Sequence, residues 1–166
     1  SGPVQETAIN DVLRTINLAT EDDDIKIIVL DLDNLSYASS AQALRIGRAL
    51  EKFQASGKNV VVYADYFDQF QYHIASYANE LYMHPMGQIL LSGYGGNNLY
   101  FREMLEKLSI NMHVFRVGGF KSAVEPFTRD NMSEQAKLAN QTLYTGLWRV
   151  LVEELADNRQ LPVPDI

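Results

Sequence analysis

One lysine in this chain stands where a base would be useful. The run Phe115-Arg116-Val117-Gly118-Gly119-Phe120-Lys121-Ser122-Ala123-Val124-Glu125-Pro126-Phe127-Thr128-Arg129-Asp130 starts as a strand-like pattern, breaks at two glycines and sets Lys121 in a largely apolar loop. Most loop lysines are solvated ammonium ions. A lysine becomes a general base only where burial disfavours the ammonium form and lowers its pKa toward neutrality. Phe120, Ala123, Val124, Pro126 and Phe127 are the apolar neighbours available for that task, and Gly118, Gly119, Ser122 and Glu125 are candidates for positioning the lysine loop. From these residues alone, the solvated lysine and the catalytic one both stay open.

The other chemistry-bearing residues have ordinary structural readings. Ser36, Ser39, Ser40, Ser76, Ser92 and Ser122 are available as nucleophiles, but none sits in a Gly-x-Ser-x-Gly elbow, so no complete triad follows. Asp31 and Asp33 share one face at the end of an apolar strand and could serve as paired carboxylates; an Asp at a strand exit more often bonds the turn that follows. Gly93-Tyr94-Gly95-Gly96-Asn97-Asn98 is similar to a dinucleotide loop, with Asn98 in place of the third glycine, and reads as a flexible turn entering a helix. His73, His84 and His113 lie far apart, and Asp22-Asp23-Asp24 lacks calcium-loop spacing, so neither a metal nor a cofactor is expected.

Alternating elements must hold these groups in place. Ile9, Val12, Leu13 and Ile16 predict a first helix, and residues 25–32 a buried strand. Ser39 or Ser40 is a cap for a helix to about Ser56, with Gly57 as its stop; Asn59 to Ala64 is the next strand. A helix over about 68–78, strands at 80–83 and 88–91, a helix capped by Asn97 or Asn98 and ending near Leu108, and a strand at 112–117 follow. Ser133-Glu134-Gln135 opens a long helix whose stripe is Leu143, Leu147, Val150, Leu151 and Leu155. This order predicts an α/β domain with a mainly parallel sheet flanked by helices, and the 166 residues suit a single domain over 1–166.

A formal net charge of −7 and scattered Lys and Arg argue against nucleic acid as a partner. The absence of cysteine excludes disulfides and thiol catalysis. No apolar stretch is long enough to span a membrane. The opening Ser-Gly-Pro and closing Leu-Pro-Val-Pro read as the ends of a soluble segment cut from a longer polypeptide.

The lysine segment strongly resembles the lysine motif of the bacterial signal peptide peptidase A (protease IV) family in its long, two-domain form. The likeness runs through Arg116-Val117-Gly118, Lys121 to Phe127 and Arg129-Asp130-Asn131-Met132-Ser133. It continues in Val29 to Leu32, Ile46 to Leu50, Gln71 to Asn79 and Ala156 to Pro162, and so covers most of the chain as an amino-terminal domain. The resemblance implies a crotonase/Clp-protease-like fold of repeated ββα units and a Ser-Lys dyad with Lys121 as general base. The serine would come from a related carboxyl-terminal domain, where it stands in a Ser-Gly-Gly-Tyr sequence at a helix start.

Here the matching positions read Gln69-Phe70-Gln71-Tyr72, and the loop comparable to the oxyanion loop reads Asn34 to Ser39 without the glycine pair. The resemblance therefore implies half a site. It further implies signal peptides as substrates, a homo-oligomer, and a location on the periplasmic side of the bacterial inner membrane through an anchor absent from this chain. The alternative is a non-catalytic scaffold that helps to build an oligomeric peptide-binding chamber. A crotonase-like acyl-thioester enzyme suits the fold class but lacks an evident glycine-rich oxyanion loop.

Overall fold

The computed structural model describes residues 7–114 and 122–166. They fall into two compact units, one of Ser1–Ser92 with Leu151–Ile166 and one of Gly93–Val150. In the first unit, helix α1 (Ile9–Glu21) leads to strand β1 (Ile27–Asp31), and helix α2 (Ser40–Ala55) to strand β2 (Asn59–Ala64). A two-residue strand β3 (Phe67–Asp68), helix α3 (Gln69–Ala75), strand β4 (Glu80–Met83) and strand β5 (Ile89–Leu90) follow. The sheet is parallel in the order β1-β2-β4, with Val29 beside Val61 and Tyr63 beside Tyr82, and β3 pairs in parallel with β5. This is the α/β architecture with parallel pairing that the alternation predicts.

Local chemistry explains where the elements begin and end. Ser39 caps α2 by accepting from the backbone N–H of Gln42, whose side chain accepts in return from the Ser39 backbone. Gly57 stops the chain at φ 83°, a left-handed conformation that glycine adopts without strain. Leu50 and Phe53 of α2, Val60 and Val62 of β2, Phe67 and Ile74 meet in the core, all of them buried.

The other face of the sheet is open. Ile27, Val29, Tyr63 and Tyr82 are 49%, 56%, 41% and 56% exposed, which is unusual because parallel sheets are normally covered on both faces.

Lys58 is buried at the C-terminus of α1, whose last turn carries no basic residue. Its Nζ donates to the carbonyls of Ala19, Thr20 and Asp22 at 2.7, 2.9 and 2.7 Å and lies 5.4 Å from the centre of the Phe53 ring. The cation thereby satisfies carbonyls that a helix end leaves without partners and complements the helix dipole.

The last helix, α6 (Glu134–Arg159), contributes its final turns to this unit. Glu154 is their anchor. One carboxylate oxygen accepts from His73 Nε2 at 3.0 Å and from the Tyr77 hydroxyl, and the other accepts from Arg48 at 3.0 Å. Burial pushes the Glu154 carboxyl up, but the hydrogen bonds from Tyr77 and His73 and the charges of His73 and Arg48 outweigh it and hold the group below its ordinary value. Burial and the bond to Glu154 push the Tyr77 phenol well above its usual range.

The second unit holds helix α4 (Arg102–Lys107), a 3-10 turn (Ser122–Val124), helix α5 (Glu125–Thr128) and the start of α6. Phe101 N–H donates to the Pro126 carbonyl at 2.7 Å, the Phe101 and Phe127 rings stack at 6.3 Å, and Arg102 pairs with Asp130.

Three expectations change. The helix expected from Asn97 or Asn98 begins only at Arg102, because tertiary contacts of Phe101 and Arg102 with the segment around α5 set its start. Residues 112–114 carry no strand, and 115–117 lie outside the described residues. On α6, Leu151 and Leu155 are buried, whereas Leu143 and Val150 are 55% and 48% exposed.

Replacing Lys58 by Met should lower the unfolding free energy by about 1.5–3 kcal/mol, because buried carbonyls lose a charged donor. The exposed control Lys52→Met should change it by less than about 0.5 kcal/mol; urea denaturation of both variants checks the difference. Glu154→Gln yields a pH test. A carboxyl whose folded pKa lies below its unfolded value stabilises the fold fully above the unfolded value of 4.5 and loses that contribution as pH falls through the folded one. The stability gap between the parent and Glu154→Gln should therefore be widest near neutrality and shrink in acid; a gap that widens in acid contradicts the assignment.

Candidate active site

The residues that follow Lys121 form a braced platform. Ser122 opens the 3-10 turn, Glu125 is the first residue of α5, and Pro126 stands next to it in the first helical turn, where a missing N–H costs nothing. The Glu125 carboxylate is buried, and both of its oxygens meet Ser133: one accepts the Ser133 backbone N–H at 3.0 Å, the other the Ser133 hydroxyl at 2.5 Å. Ser133 in turn accepts the Ala136 N–H at 3.2 Å and so caps α6. Arg102 holds Asp130 below its ordinary pKa through their hydrogen bond.

A cavity of about 260 Å³ borders the platform, lined among others by Asn98, Tyr100, Ser122, Glu125, Asn140 and Tyr144. Lys121, Gly118 and Gly119 lie outside the described residues. Of the apolar neighbours proposed to surround the lysine, Ala123 and Phe127 are exposed and Val124 and Pro126 are half-buried. Within this chain those four residues do not close an apolar pocket.

The place of the expected nucleophile is occupied by something else. Asp68 caps α3, accepting from the N–H groups of Phe70 and Gln71 at 2.8 Å each, and Gln71 returns an acceptor to the Asp68 N–H at 2.8 Å. Gln69, the first residue of α3, is buried. The Gln71 amide also donates to the carbonyls of Leu32 at 2.8 Å and Leu35 at 3.2 Å.

The loop after β1 therefore turns carbonyl oxygens toward α3. Three of its N–H groups are engaged as well: Leu32 donates to Tyr63 O, Asp33 to Asp31 Oδ1 and Leu35 to Leu32 O. An oxyanion hole needs free N–H donors aimed at a developing negative charge, and those of Leu32, Asp33 and Leu35 are already engaged.

Several of the remaining candidates find structural partners. Ser39 is consumed in its capping box, and Ser76 is buried between the His73 carbonyl and the Asn158 amide. Asp31 accepts from the Tyr63 hydroxyl at 2.8 Å and Asp33 from the Asp65 N–H at 2.6 Å, which ties two strand exits together. Gly93 takes φ 74° in a segment without regular structure, ahead of α4.

His84 accepts from the Met86 N–H, and His113 is exposed on an irregular stretch. Among the described residues no three His, Asp or Glu side chains stand together in a metal-ligating group. Nor is any described helix long and apolar enough to cross a membrane.

Two polar partners escaped the sequence reading. The Asp68–Gln71 capping box was legible as a carboxylate three residues before a glutamine. The Glu125–Ser133 pair was not, because eight residues separate its members and no periodicity links them.

Comparison with known proteins agrees with the lysine motif. The model of peptidase family S49 matches residues 52–166. Protease 4 of Salmonella typhi is 41% identical over 161 residues, 97% of this chain, and Protease 4 of Haemophilus influenzae is 42% identical over 151 residues, 91% of it. A chloroplastic serine protease SPPA of Arabidopsis thaliana is 29% identical over 117 residues, 70% of this chain and 17% of its own length. The chain spans about a quarter of the two bacterial relatives, 26% and 25% of their lengths. From its lysine segment through its last helix, and by these matches, the chain belongs to peptidase family S49.

Proposed function

We propose that this chain is the amino-terminal domain of a membrane-associated serine peptidase that degrades cleaved signal peptides, and that it supplies Lys121 as the general base of a Ser-Lys dyad. The observation that carries the reading is the asymmetry of the chain. Its sequence carries the whole lysine motif, and the residues just after Lys121 are braced by the Glu125–Ser133 pair, while Gln69 stands at the nucleophile position in a helix start that Asp68 and Gln71 cap between them. The serine would then come from a related carboxyl-terminal domain.

In this mechanism neutral Lys121 takes the proton from the serine hydroxyl as its oxygen attacks the peptide carbonyl, and returns it to the leaving amine. Backbone N–H groups outside this chain stabilise the oxyanion. Ala123 and Phe127 are exposed here, so covering the lysine, and lowering its pKa, is a task for surfaces beyond these residues. The enzyme would act on the periplasmic side of the bacterial inner membrane as a homo-oligomer.

A second reading treats the chain as a scaffold of a peptide-binding chamber. One observation favours it: the open sheet face with Ile27, Val29, Tyr63 and Tyr82 calls for a covering surface.

The two readings diverge at Lys121. In the full-length protein, Lys121→Ala and Lys121→Arg should each lower peptide-ester hydrolysis by at least about a hundredfold. Alanine removes the base, and arginine keeps a charge that does not deprotonate near neutral pH. Near-parental turnover in a folded arginine variant would leave the scaffold reading in front.

A further inference from the structure

We propose that Glu125 is a positioning residue for Lys121: its carboxylate, joined to Ser133 by two hydrogen bonds, locks the turn that follows the lysine onto the start of α6. The inference rests on the general-base reading and deepens it. A base must lie within about 2.6–3.2 Å of the hydroxyl it deprotonates, and a misplacement of about 1 Å costs roughly a hundredfold. Something must therefore fix the backbone beside the lysine.

Ser122–Val124 follows Lys121 directly in the chain and runs without interruption into α5. That short element is internally tied, with Thr128 Oγ1 donating to the Val124 carbonyl at 3.1 Å and Arg129 N–H to the Glu125 carbonyl at 2.9 Å. On one side it is held by Phe101 through the Pro126 carbonyl. On the other side it is held by Glu125, whose carboxylate is buried at 6% exposure and bonded at 3.0 and 2.5 Å.

Burying a carboxylate is costly, and an apolar residue would fill the same space more cheaply. Two directional bonds give what an apolar contact does not: one orientation. Ser133 is itself fixed by Ala136 and by its place at the helix start, so the reference point is rigid.

The test is a cycle of variants in the full-length peptidase, with kcat and KM measured on a peptide ester and folding checked by thermal melting. Glu125→Ala should lower kcat by about ten- to a hundredfold and change KM by no more than about twofold. Glu125→Gln should keep most of the activity, since the amide oxygen still accepts from the Ser133 N–H. In a Lys121→Ala background, Glu125→Ala should cause no further loss of residual hydrolysis, because a group that acts through the lysine has nothing left to position.

Equal fractional losses with and without Lys121, or unchanged kcat in folded Glu125→Ala, would overturn the inference while leaving the base reading intact. Parental activity in Lys121→Ala would overturn both. If Glu125→Ala does not fold, Ser133→Ala carries the same cycle: a kcat loss confined to the background that retains Lys121 supports the inference, and a loss in both overturns it.

Discussion

A carboxylate taken out of water must be met by donors, and this requirement organises both units of the chain. In one, Glu154 draws His73, Tyr77 and Arg48 onto the end of α6, so that three side chains from two stretches of sequence are fixed by one group. In the other, Glu125 spends both oxygens on Ser133 and fixes the residues that follow the lysine. Leaving the buried Glu125 carboxylate without donors would cost several kcal/mol, and the half-buried Glu154 less. The capping boxes of Ser39 and Asp68 apply the same rule to backbone N–H groups.

The same accounting separates structural polar residues from catalytic ones. Asp31, Asp33, Ser39 and Ser76 have their hydrogen-bonding capacity committed to turns, caps and neighbouring strands. Gln71 goes further, since its amide draws the carbonyls of Leu32 and Leu35 toward α3 where a catalytic unit would present N–H groups. Gln71 makes that space a structural joint between α3 and the loop after β1. On the proposed reading, supplying a base and omitting the nucleophile would be two sides of one division of labour; the chain spans about a quarter of its S49 relatives.

Local signals in the sequence were sufficient for much of the fold. Gly57 stops α2, Ser39 caps it, and β2 and β4 run over the residues whose apolar pattern marks them. What the sequence hid depends on surfaces brought together from afar. Periodicity shows that Leu143, Val150, Leu151 and Leu155 share a stripe, but not that only the last two are covered within this chain. The start of α4 is set by Phe101 docking on Pro126, a contact across 25 positions that no cap rule anticipates. For the site, the lysine motif was legible by its residues, whereas the Glu125–Ser133 pair emerged only from the fold.

The account turns on one property, a Lys121 amine that is neutral where the enzyme works. Competitive acylation of the full-length peptidase across a pH series, read by mass spectrometry at the Lys121 peptide, measures the titration of that amine directly. We expect its midpoint well below the ordinary lysine value of about 10.4. A midpoint at that ordinary value in fully active enzyme would contradict the assignment of Lys121 as the base.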